Sequence, residues 1–185
     1  MKKKQPLTLE PEDFRADFSE YAFLMFHSQS PSFAFVDDIN RLYGLQLERQ
    51  DDILLRAAPW PLFFAHNEVM HRDYFIVECP PAIDNPLWAA RNKMLIVRGE
   101  DAESIVDTID SEFNTPPSPC APYDLLTAER QAIIASYQAD LTVTTPLRPD
   151  MMPNAALSRK VQKEQSELVE LIEEILDSID LMHIA

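Results

Sequence analysis

The chain has 185 residues, with 16 basic against 31 acidic side chains, a formal net charge of −15, and only two glycines beside 15 prolines. Gly44 and Gly99 alone cannot build the multi-glycine loops that cradle phosphates, which excludes P-loop, Rossmann and kinase-type sites. The negative balance repels a phosphodiester backbone and argues against a nucleic-acid partner. At 46% hydrophobic the chain can close a core, and its length fits one domain with an appendage or two small domains.

Met1 to Lys4 is charged, but Gln5 to Phe14 carries Pro6, Glu10, Pro11, Glu12 and Asp13 where a signal peptide or membrane span needs an apolar run. The expectation is a cytoplasmic chain. Cys79 and Cys120 have no CxxC spacing and read as reduced thiols.

Residues 1–18 read as a flexible acidic arm with Phe14 and Phe18 as anchors. Tyr21 to Phe26 is an unbroken apolar run, which suits a strand covered on both faces. Ser30 is placed to cap a helix with Pro31 at its first position, followed by Phe35, Val36, Ile39, Leu42 and Tyr43 at helical spacing. Gly44 supplies the left-handed stop. Leu62 to Ala65 and Tyr74 to Val77, around a polar break, predict an antiparallel hairpin that Pro80-Pro81 ends. Met94 to Val97 is a fourth apolar run. Gly99 then turns the chain into a second helix, with Ala102, Ile105, Val106, Ile109 and Phe113 on one face and Asp101 as its cap.

Four prolines between Thr115 and Pro122 exclude regular structure there. Residues 124–137 suit a helix and Leu141 to Thr145 a last strand, with a Pro-rich connector over residues 146–153. The final helix, Asn154 to about His183, carries the longest periodic signal. Val161, Gln165, Leu168, Ile172, Ile175, Ile179 and Met182 alternate in steps of four and three, and Val169, Leu171 and Leu176 widen that stripe. Arg159, Lys160 and Lys163 at its start and Glu173, Glu174, Asp177 and Asp180 toward its end oppose the macrodipole, so contacts outside the helix must hold it.

These elements predict an α+β domain over residues 19–145, with a mostly antiparallel four- to five-stranded sheet. Because its runs are unbroken, both faces must be covered, by the two early helices and the long C-terminal one.

Tyr21 to Ser28, the run Ile39-Asn40-Arg41-Leu42-Tyr43-Gly44-Leu45-Gln46-Leu47-Glu48-Arg49 with Asp51-Asp52 after it, and Met94 to Arg98 share an order of elements over about residues 19–140. In this the chain resembles the IPExxxVDY family of bacterial proteins, whose function is unknown. Trp88-Ala89-Ala90-Arg91-Asn92-Lys93 stands where the name-giving motif would fall. The resemblance brings no catalytic residues.

His66, His71, Asp73 and Glu78 flank the hairpin as the one cluster of metal-ligand side chains, and His27 either joins them or caps a turn. No Ser stands in a glycine-flanked elbow, and neither Cys79 nor Cys120 has an oriented base beside it. Asp37-Asp38, Asp51-Asp52 and Glu173-Glu174 read as solvated faces. Trp60 and Trp88 sit beside prolines, either as anchors for a partner or as plugs at the sheet edge. The reading is a non-enzymatic interaction or scaffold protein without a cofactor, binding another protein or its own copy as a homodimer. Its partner-binding residues are Val161, Leu168, Ile172, Ile175 and Ile179 with Trp60 and Trp88, through the acidic last helix or the groove beside it. The alternative is a small metal-binding module or metal-dependent hydrolase using His66, His71 and Asp73.

Overall fold

The computed structural model describes residues 18–80, 91–116, 124–139, 144–148 and 159–182. In chain order these form β1 (Tyr21–Phe26), α1 (Ser32–Tyr43), β2 (Glu48–Arg49), β3 (Ile53–Leu55), β4 (Ala58–Trp60), β5 (Leu62–Asn67), β6 (Arg72–Glu78), β7 (Lys93–Arg98), α2 (Ala102–Asn114), α3 (Leu125–Ala139), β8 (Thr144–Leu147) and α4 (Arg159–Leu181). The main sheet runs β2-β5-β6-β7-β1-β8, with every ladder antiparallel, and β3 and β4 form a separate two-stranded sheet. It is wider than the expected four or five strands, because β2 adds a short rim beyond the four apolar runs and the last strand, which lies at Thr144–Leu147 instead of Leu141 to Thr145.

Strand alternation explains why those runs are unbroken. Phe23 and Met25 of β1, Phe75 and Val77 of β6, and Met94 and Ile96 of β7 share a core with Leu168, Ile172, Ile175 and Ile179 of α4. Leu24 and Phe26, Ile76, and Leu95 and Val97 of the same strands join Phe35 and Ile39 of α1 and Val106, Ile109 and Phe113 of α2 in the other core. The fold is therefore α+β with helices on both faces of the sheet. Each apolar side chain so buried contributes about 1.5–3 kcal/mol, which is how a helix with an adverse charge pattern stays docked.

The second core is tightened by aromatic rings edge to face. Phe26 lies 5.1 Å from Phe35 and 5.4 Å from Phe113, and Tyr137 of α3 lies 5.8 Å from Phe35. Gly44 takes φ +64° and returns its N–H to the Asn40 carbonyl, the predicted left-handed stop. Asn40 then holds the departing chain, its amide accepting from Leu47 N–H at 2.8 Å and donating to Leu47 O at 3.2 Å.

Several local expectations are corrected. Pro31, not Ser30, occupies the cap of α1, and no side chain closes that terminus; the Ser30 N–H is instead taken by Ser28 Oγ at 3.2 Å. Asp101 is the cap residue of α2 but makes no capping bond, because Arg72 Nε claims its carboxylate at 2.6 Å. An ion pair with a guanidinium outcompetes a single backbone donor. The Pro-rich connector begins inside β8, where Pro146 lies opposite Leu24 and Leu147 opposite Phe23. Phe18, placed in the arm, is buried in the core edge-to-face with Phe23. The rest of the arm, the remainder of the connector, Leu141 to Val143 and the first residues assigned to the last helix lie outside the described residues.

Candidate functional site

The periodic stripe of α4 folds inward. Leu168, Ile172, Ile175 and Ile179 are all buried against the chain's own sheet, and Val161 is half-buried near the start of the helix. Charge is consequently sorted to the outer side. Lys160 pairs with Glu164 at 3.8 Å and Lys163 with Glu167 at 3.5 Å within the helix. Two arginines from other elements reach the unfavourable end: Arg56 forks onto Glu174 at 3.1 and 3.0 Å, and Arg98 lies 3.7 Å from Asp180. Placing cations beside those carboxylates offsets their repulsion by the helix's negative terminus. Among the described residues, Glu170, Glu173 and Asp177 form no ion pair. Their spacing of three and four puts them on one outward ridge.

Trp60 is not a surface anchor. It is fully buried in the core that α4 shares, and its indole N–H donates to Leu55 O at 3.3 Å. This is the plug reading. Trp88 lies outside the described residues.

The hairpin register pairs His66 directly with Asp73, and His66 Nδ1 lies 2.6 Å from Asp73 Oδ1. The second oxygen of Asp73 is taken by Arg98, whose Nε donates at 2.7 Å. His71 occupies the turn at φ +49° and is exposed, and Glu78 faces Lys93 instead. His27 is half-buried, and its Nδ1 has no hydrogen-bond partner among the described residues. No group of three or more His, Cys, Asp or Glu able to hold a metal occurs among the described residues. His66 and Asp73 thus come together in a hydrogen-bonded network with Arg98, built on the buried Asp73 carboxylate, not as a converging ligand set.

A polar site that sequence reasoning missed lies on the opposite face of the sheet. Lys93 is 1% exposed, its Nζ donating to Ser28 O at 3.2 Å and standing 3.6 Å from Glu78 Oε1 and 5.6 Å from the centre of the Phe35 ring. Asn92 braces the same turn, accepting from Ser28 N–H at 3.0 Å and donating to Ser28 O at 2.8 Å. Burial lowers the Lys93 ammonium below its ordinary value of 10.5, while Glu78 pulls it back up. The one available signal was period two, since Lys93, Leu95 and Val97 must share a face.

A depressed lysine binds its proton less well folded than unfolded. Its destabilising contribution is thus complete below the folded value and fades as the pH rises toward 10.5. Lys93→Met removes this dependence, so the stability difference between Lys93→Met and wild type narrows between neutral pH and 10.5 in pH-resolved urea titrations. A difference that widens over that range contradicts the assignment.

Cys79 is buried, and burial together with Glu78 pushes its thiol up to about 12, which makes it a poor nucleophile. Cys120 lies outside the described residues. On the α1 side, Arg130 of α3 donates to Leu42 O at the end of α1 and pairs with Glu112, which also accepts from Tyr43 Oη at 2.9 Å. A groove of about 450 Å³ beside it is lined by Arg41, Leu42, Leu126 and Ile133. Leu125 and Leu126 are exposed at the start of α3.

No helix among the described residues is long and apolar enough to cross a membrane. No family model, no curated protein and no solved structure matches this chain.

Proposed function

We propose that this is a non-enzymatic cytoplasmic interaction protein that presents the acidic outer ridge of α4 to a basic segment of a partner protein. The observation carrying this reading is the sorting of α4: its apolar stripe is occupied by the chain's own sheet, while among the described residues Glu170, Glu173 and Asp177 form no ion pair on its outer side, Arg56 acting on Glu170 only at longer range. Burial fixes the helix as a rigid support, so those carboxylates are held in place at little entropic expense. Like charges on both surfaces disfavour a second copy as the occupant. Kinship with the IPExxxVDY family is also part of the proposal; its support is the run from Ile39 to Arg49, where Asn40 braces the exit of α1.

A fluorescent ten-residue oligolysine serves as the probe, followed by anisotropy. Reversing the ridge with Glu170→Lys, Glu173→Lys and Asp177→Lys together weakens binding by about tenfold or more, and added salt weakens it in wild type. Asp37→Lys, Glu68→Lys and Glu100→Lys together change the net charge equally, yet shift binding by no more than roughly twofold. Equal losses in the two triple variants would reduce the ridge to a bulk-charge effect and overturn the proposal.

A further inference from the structure

The turn between β3 and β4 has two residues, Arg56 and Ala57, both at positive φ, +49° and +61°. Two-residue hairpin loops of this kind favour Asn-Gly, because a Cβ is crowded in the left-handed region. Arg and Ala have neither the local hydrogen bonding of Asn nor the freedom of Gly, so the conformation is held from outside the turn. The structure supplies the holder: Arg56 Nε and a terminal nitrogen donate to the two oxygens of Glu174 on α4, at 3.1 and 3.0 Å. Both side chains are close to 40% exposed, at 38% and 42%, so a ligand can reach this carboxylate. The strands behind the turn seat Ile53, Leu55 and Trp60 in the core that includes the α4 stripe. Glu174 lies four residues after Glu170, one after Glu173 and three before Asp177, within the ridge described above.

We infer that Glu174 is a shared contact coupling that ridge to the β3–β4 turn: while Arg56 holds it the turn keeps its left-handed form, and a basic partner that takes it releases the turn. The identity of the competitor rests on the proposed function; the coupling between Glu174 and the turn rests on geometry alone. By linkage the effect is reciprocal, so freeing Glu174 from Arg56 tightens binding of a cationic ligand.

Amide hydrogen exchange from Leu55 to Ala58 reads the turn directly. Glu174→Gln raises these rates by about threefold, the scale of one partly exposed ion pair. Arg56→Asn with Ala57→Gly, a sequence that adopts this turn unaided, restores protection and removes the sensitivity to Glu174→Gln. Saturating oligolysine raises the rates in wild type and leaves them unchanged in that double variant, which also binds the probe more tightly. Unchanged rates in Glu174→Gln overturn the coupling, and so does oligolysine binding with no response in the turn, an outcome that leaves the proposed function standing. Absence of oligolysine binding beside a clear Glu174→Gln effect sinks the functional reading and supports the coupling.

Discussion

Ile175→Asp abolishes cooperative folding. Ile175 is fully buried at the middle of the α4 stripe, in one core with Phe75, Met94 and Ile96. A carboxylate there is set among apolar side chains and must either lose its hydration or take up a proton. Either route costs a substantial part of the roughly 5–15 kcal/mol by which a domain is stable. Ile175→Ala, which leaves only a void, costs about 2–5 kcal/mol. Asp177→Ala, two positions along the same helix and exposed, shifts stability by no more than about 0.5 kcal/mol. Urea unfolding followed by circular dichroism separates the three. A wild-type transition in Ile175→Asp would mean that α4 contributes nothing to the sheet it covers.

The second large effect belongs to Trp60. Removing its side chain opens a hole where β4 meets the α4 core, and Trp60→Ala costs about 3–5 kcal/mol. Trp60→Phe keeps most of the apolar volume but withdraws the donor from the Leu55 carbonyl, and costs about 1–3 kcal/mol. The order of the two midpoints in chemical denaturation tests the plug directly. A surface anchor would lose under about 0.5 kcal/mol in both variants.

Much of this architecture is readable before any coordinates are known, and the reason is length. The runs at Tyr21 to Phe26, Tyr74 to Val77 and Met94 to Val97 are long enough to show that neither face of a strand tolerates water, and the α4 periodicity persists for six turns. Two- to three-residue strands leave no such trace: β2, β3 and β4 exist because a partner strand lies beside them, whereas β8 overlaps the end of the expected last strand and runs on through Pro146. Pro59 and Pro61 made Trp60 look like a loop residue, yet β4 pairs only with β3 and so accommodates Pro59 opposite Leu54. The unbroken strands call for cover on both faces, and the α4 stripe supplies it on one of them, as its periodicity leads one to expect. Lys93 was missed. A lysine ordinarily ends an apolar run, and only the remote Ser28 carbonyl and Glu78 carboxylate make its burial tolerable.

The two flanks of the main sheet bear on how this protein ages in concentrated solution. On one side the last strand is two residues long, and on the other it carries Pro146, which offers no N–H to an incoming chain. An apolar six-stranded sheet with long bare flanks would template its neighbours into fibrils. Among the described residues both flanks are thus blunted, and a strand of another molecule added at either one would gain few backbone hydrogen bonds.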